Sequence, residues 1–229
     1  MAWTLVGSTT QIIENGNTED VTLPGSPQTG DIVIFTMGAD FNTCTLNTSG
    51  YTNLYSEGTT PVCTLDYKVM GETPDSVVNV TQEDGGATAR DGAVVLQVWR
   101  GVDTGTPIDT LPITTAIDSS GNPDSPAYTP ATNGALVFSI GLLDDDSVAA
   151  SVTAPSGYSN LIAGESVPEA STTGYTGMIA SKTLVTAAEE NPGAFGSDGD
   201  DAWIAITFAL RPAGGAPAVP ILRRRLENY

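Results

Sequence analysis

The chain has 229 residues, with 27 Asp and Glu against 8 Lys and Arg, a formal charge of −19, and no histidine. The missing imidazole excludes His-based triads, the commonest general base and the commonest zinc ligand. The acidic balance excludes the dense positive field that a nucleic-acid binder presents to phosphate, and no apolar run approaches the ~18 residues of a membrane helix.

In chain order, Ala2 to Thr10 reads as a first strand and lacks the basic and apolar regions of a signal peptide. Asp31 to Met37 and Ala93 to Trp99 are near-continuous apolar runs that suit central strands. Ala202 to Leu210 sets Trp203, Ile204, Ile206, Phe208 and Leu210 against the smaller Ala205, Thr207 and Ala209. That alternation predicts a strand buried on one face. Turn signals such as Pro24-Gly25, Gly71 to Asp75 and Ser120 to Pro123 punctuate the runs, and no segment keeps a helical period. The expected class is all-β. Cys44 and Cys63 are too few for a disulfide framework and too far apart in sequence for a metal cluster. Two reduced thiols is the simplest reading, with a single bridge between neighbouring strands as the alternative.

The chain repeats itself. Gly30-Asp31-Ile32-Val33-Ile34-Phe35 and SGYTNL at 49–54 return as Gly134-Ala135-Leu136-Val137-Phe138-Ser139 and SGYSNL at 156–161. Lys68 and an acidic turn at 72–75 return as Lys182 and the turn 189–192; Trp99-Arg100 returns as Leu210-Arg211. A drifting offset of this kind is what loop insertions leave in a duplicated unit. The thin apolar content of each repeat favours one jelly-roll-like antiparallel β-sandwich over residues 1–212, with repeats at about 20–103 and 126–212. One small sandwich per repeat is the other arrangement. The intervening segment holds Ile108, Leu111 and Ile113, more apolar content than a pure linker needs.

Residues 213–229 differ from the rest. A Pro- and Gly-rich stem leads to Ile221, Leu222, Arg223, Arg224, Arg225, Leu226 and Tyr229. Residues 1–222 carry a net −21, whereas 223–229 carry +2. A tether ending in a compact basic and apolar peptide is expected to dock on a partner, with the arginines for acidic or carbonyl groups and the apolar residues for pockets.

Other candidates each have a plain structural alternative. Asp198, Asp200 and Asp201, like Asp144 to Asp146, offer hard oxygen ligands of the kind Ca²⁺ takes, but they lack an EF-hand's spacing, so solvated loop charge is the default and no metal or cofactor is expected. Tyr51 and Tyr158 of the repeated Gly-Tyr turn could form a paired aromatic platform for a sugar or protein; a duplicated framework would repeat the same turn for folding alone. Lys68 and Lys182 fit structural ion pairs better than an activated nucleophile. Two carboxylates suffice for glycoside hydrolysis, yet nothing in the spacing selects a pair.

The string GDIVIF…SGYTNLYS…LDYKVMGETPDSV…AVVLQVWRGVDTGTPID resembles a β-sandwich module of structural proteins in tailed bacteriophages, over roughly residues 20–110 with weaker echoes in 126–212. The resemblance implies a non-enzymatic virion component of the capsid-decoration (cement), head-fibre or tail type, made in the host cytoplasm. Its partners would be other virion proteins, and it would form a homo-oligomer, a trimer where a particle offers threefold axes. A receptor- or glycan-binding fibre tip is the alternative role. The basic arm is a departure from simple decoration proteins.

Overall fold

The computed structural model describes residues 2–14, 16–39, 43–59, 61–83, 91–144, 149–166 and 174–215. The first half contains β1 (Thr4–Ile13), β2 (Thr18–Thr22), β3 (Ile32–Ala39), β4 (Cys44–Leu46), β5 (Thr52–Glu57), β6 (Val62–Val69), β7 (Val77–Gln82) and β8 (Gly92–Arg100). The second contains β9 (Thr114–Asp118), β10 (Asp124–Ser125), β11 (Leu136–Leu143), β12 (Ser159–Glu165), β13 (Thr176–Thr183), β14 (Gly193–Ala194) and β15 (Trp203–Leu210). Every pairing between them is antiparallel. The molecule is all-β.

Each half builds its own five-stranded sheet, in the order β1-β8-β3-β6-β5 and then β12-β13-β11-β15-β9. A three-stranded sheet β2-β7-β4 covers the outer face of the first, and the pair β10-β14 with its flanking loops covers the second. In the first half the chain crosses repeatedly between the two layers, which is jelly-roll winding. The two large sheets then pack face to face. The first repeat is therefore a small sandwich, the second is a five-stranded sheet covered by loops and one short strand pair, and the two large sheets share a core.

Three apolar clusters follow from this layering. Ile32, Ile34, Leu65, Val95 and Trp99 meet Phe138, Ile140, Ile179, Ile206 and Phe208 in the shared core. Val33, Phe35, Leu96 and Val98 face the outer sheet's Val21, Val78 and Val80. Val137, Met178 and Trp203 face Tyr128, Val152 and Phe195. Strands β3, β8, β11 and β15 thus bury both faces, which is why their sequences read as unbroken apolar runs. For β15 this corrects the expectation of one buried face: Ala205 and Ala209 are fully buried in the second unit's outer core, which loops close over.

The repeats are also longer than their motifs. β1 and β9 lie ahead of the expected starts near 20 and 126, and each is an edge strand of its large sheet. They occupy equivalent places without sharing a sequence signature. In the connecting segment, Ile108 is buried in the shared core and Ile113 packs on it, while Leu111 is 66 % exposed. Two side chains also bond across the halves: Trp3 Nε1 donates to the Gly134 carbonyl (2.8 Å), and Gln97 Nε2 to that of Asn160 (2.7 Å).

Candidate functional site

The repeated Gly-Tyr turn sits at the start of β5 and β12. Gly50 and Gly157 have φ of 85° and 80°, a conformation that glycine adopts without a Cβ penalty. Over each turn lies the lysine of the next strand, with Lys68 Nζ 5.4 Å from the Tyr51 ring centroid and Lys182 Nζ 5.7 Å from that of Tyr158. Each lysine also holds a carboxylate at 2.7 Å, Asp75 for Lys68 and Glu190 for Lys182. Cation, ring and carboxylate recur as one constellation that pins turn to strand.

That arrangement corrects the paired aromatic platform. Tyr51 packs edge-on to Phe35 in the first unit's outer core, and Tyr158, 9 % exposed, lies in the second unit's outer core. These cores are on opposite sides of the sheet pair, so the two rings cannot line one cleft. Burial pushes both phenols well above the ordinary tyrosine value, with nearby carboxylates adding to the shift.

The strand-terminal arginines are occupied likewise. Arg100 binds the buried Asp31 through Nε and Nη2, both at 2.8 Å. Arg211 reaches Asp109 at 3.3 Å, and Asp109 also accepts from the amides of Ala131 and Thr132, tying the connecting segment to the second unit. The aspartates weighed for Ca²⁺ point to separate partners: Asp198 accepts from the Ser151 hydroxyl, Asp200 from the Gly121 amide and Asp201 from the Ala202 amide. Among the described residues no three His, Cys, Asp or Glu side chains gather to hold a metal. Asp145 and Asp146 lie outside the described residues, as do Ile221, Leu222, Arg223, Arg224, Arg225, Leu226 and Tyr229.

Cys44 and Cys63 are both unbridged. Cys63 faces the shared core and Cys44 the outer core of the first unit, so the five-stranded sheet separates their side chains. The bridge considered from sequence is therefore not formed. Burial pushes the Cys63 thiol up to about 12 and the Cys44 thiol higher, which leaves both poor nucleophiles at neutral pH.

The pocket of greatest chemical interest was not marked by any motif. It lies where β4 of the outer sheet diverges from β5 and β6, encloses about 390 Å³, and is lined by residues that include Thr45, Leu46, Ser56, Glu57, Thr64 and Asp66. Asp66 is 6 % exposed; Thr64 Oγ1 donates to one carboxylate oxygen (2.5 Å) and Asn53 Nδ2 to the other (3.1 Å). Burial raises its pKa, and those two hydrogen bonds offset part of the rise. Glu57 moves the other way: the Thr59 hydroxyl and the amides of Gly58 and Thr59 donate to one oxygen, Tyr55 to the other, and its carboxyl is held below the ordinary value. A second pocket of about 350 Å³ runs between β5 and the connecting segment, with Leu54, Tyr67, Pro107, Ile108 and Leu111 on its walls. A signal for the first pocket does exist in the sequence, in the places where the two repeats disagree.

No family model matches the chain, nor does any curated protein or solved structure.

Proposed function

We propose that the chain is a non-enzymatic structural component of a phage particle, decorating or reinforcing capsid or tail, with residues 213–229 as its anchor. The observation that carries this reading is the use of the cations. Lys68, Arg100, Lys182 and Arg211 are each paired with a carboxylate inside the body. Arg90 lies outside the described residues, and the only cluster of positive charge in the sequence is Arg223 to Arg225, beside Ile221, Leu222, Leu226 and Tyr229, on a body that is otherwise strongly acidic. Acidic bodies repel one another in solution, so assembly calls for a specific foothold, and a basic, apolar peptide supplies one. The resemblance of residues 20–110 to phage structural modules gives the partner class, other virion proteins.

The test is co-assembly with isolated particle proteins, comparing the full chain with one ending at Gly215, which keeps the Ala213 amide bond to Gly101. The expected result is binding by the full chain only, with both forms equally folded by circular dichroism. Equal binding would move the interface to the sandwiches, and no binding by either would remove the virion assignment.

A further inference from the structure

The two edges of the packed sheet pair are built differently. On the β1–β12 side the large sheets are tied together. Gln97 Nε2 donates to the Asn160 carbonyl, and a Cβ at Gly164 would fall 2.8 Å from the Thr10 methyl. The duplication shows what stands in the same places on the other side. Register and motif match Gln97 to Phe208, Asn160 to Asn53 and Gly164 to Glu57. Phenylalanine has no donor for a carbonyl, and a glutamate fills the space that a glycine leaves open. The tie is not repeated, and the edge beside β5 opens into the pocket of about 350 Å³.

That pocket suits an apolar guest. Leu54, Tyr67, Pro107, Ile108 and Leu111 form its walls, and no charged side chain lines it. Leu111 stays exposed there. An apolar segment laid on these walls would remove both surfaces from water.

The chain itself brings such a segment to the place. Residues 102–118 run antiparallel beside β15: Val102 bridges Pro212, Ile108 bridges Leu210 and Thr114 pairs with Thr207. The Arg211 amide donates to the carbonyl of Pro107, a pocket wall, and the Ala213 amide to that of Gly101. The last described residue, Gly215, turns its amide back to the Pro212 carbonyl. The polypeptide therefore leaves the body beside the pocket. Ile221 and Leu222 follow six and seven residues later, within about 20 to 25 Å of extended chain. Residues 223–229 carry +2 against a strongly acidic body, so attraction and tethering both favour contact within one molecule.

We propose that, in the free protein, the pocket between β5 and residues 105–111 holds Ile221 and Leu222 of the chain's own C-terminal segment. Arg223 to Arg225 remain outside it, at the acidic surface. One consequence rests on the anchor role proposed above: a particle has to draw the arm out of this seat before it can hold it.

The experiment attaches a nitroxide to Asn228→Cys in the full chain and reads paramagnetic broadening of ¹H–¹⁵N amide signals, with no particle protein present. Burial raises the thiols of Cys44 and Cys63, so the added cysteine is the reactive one, and a mass showing one label checks this. Broadening is expected at the amides of Leu54, Gly105 and Leu111, and not at Leu161 in the second unit. Leu111→Asp on the wall, and Ile221→Asp with Leu222→Asp in the arm, should each cut it about tenfold, as setting a charge against apolar surface requires. The remaining amide signals report that the fold is kept. A mixture of ¹⁵N chain without nitroxide and nitroxide chain without ¹⁵N should show no broadening. The proposal is overturned if broadening spreads over the body without a maximum at the pocket, or if it survives both sets of substitutions. It is equally overturned if the mixture broadens, which gives the seat to another copy's arm. Failure here leaves the co-assembly result untouched, because the two measurements share no component but the chain.

Discussion

At Asp66 the conflict between burial and charge has a measurable sign. Burial raises the folded-state pKa above the unfolded value, so the folded chain holds this proton more tightly. The resulting stabilisation is complete below the unfolded carboxyl range, near pH ~4, and disappears as pH rises through the folded value. Asp66→Asn removes the titration while keeping an acceptor for Asn53 or Thr64. Relative to the parent, its urea midpoint should therefore improve as pH is raised from 3 to 7. A pH-independent difference would mean that the two hydrogen bonds fully offset burial. Gly38 illustrates steric limits at the same scale. A Cβ there would overlap the Tyr175 ring, which is completely buried in the shared core. Gly38→Ala should cost about 1–3 kcal/mol in urea unfolding, the usual range for overpacking. Replacing Tyr175 with Leu in the same chain should recover part of that loss.

Among the elements, legibility followed burial and motif. β3, β8, β11 and β15 could be read because two-sided burial leaves an apolar run, and the duplication could be read because Gly-Tyr turns and paired lysines recur. β9 could not. It is an edge strand with the burial pattern of a surface segment and it carries no motif, so in sequence it reads as part of a connection. Tyr51 and Tyr158 were legible as a repeated pair but not as two interior groups, because sequence does not say which face of a sheet a turn closes over. The polar lining at Ser56, Thr64 and Asp66 is not legible, because a duplication shows itself in what its copies share and this pocket lies where they differ. Ile117, 59 % exposed on β9, tests the edge directly. Ile117→Lys should leave stability within about 0.5 kcal/mol and raise solubility, since a charge on an open edge opposes strand-to-strand association. A larger loss in thermal unfolding would mean that the edge is covered by another part of the chain.

For the whole molecule, the shared core decides what can exist alone. A chain ending at Pro112 retains every strand of the first large sheet but uncovers Ile32, Ile34, Leu65, Val95 and Trp99 together. Such a contiguous apolar face drives association. Sedimentation of that fragment should show dimers or larger species, whereas a well-folded monomer would mean that the first unit's outer core suffices. The join between the halves has a further consequence. Ile34 and Phe138 hold corresponding positions, as do Leu65 with Ile179 and Val95 with Ile206, and all six lie in the same cluster. Both sides present equivalent residues to one core, as the two faces of a homodimer contact do, yet a single polypeptide carries both copies. Linkage replaces the protein's own concentration with a fixed effective one, so dilution cannot part the two sides. A homodimer's unfolding midpoint falls as the sample is thinned; here it should stay constant however sparse the molecules are.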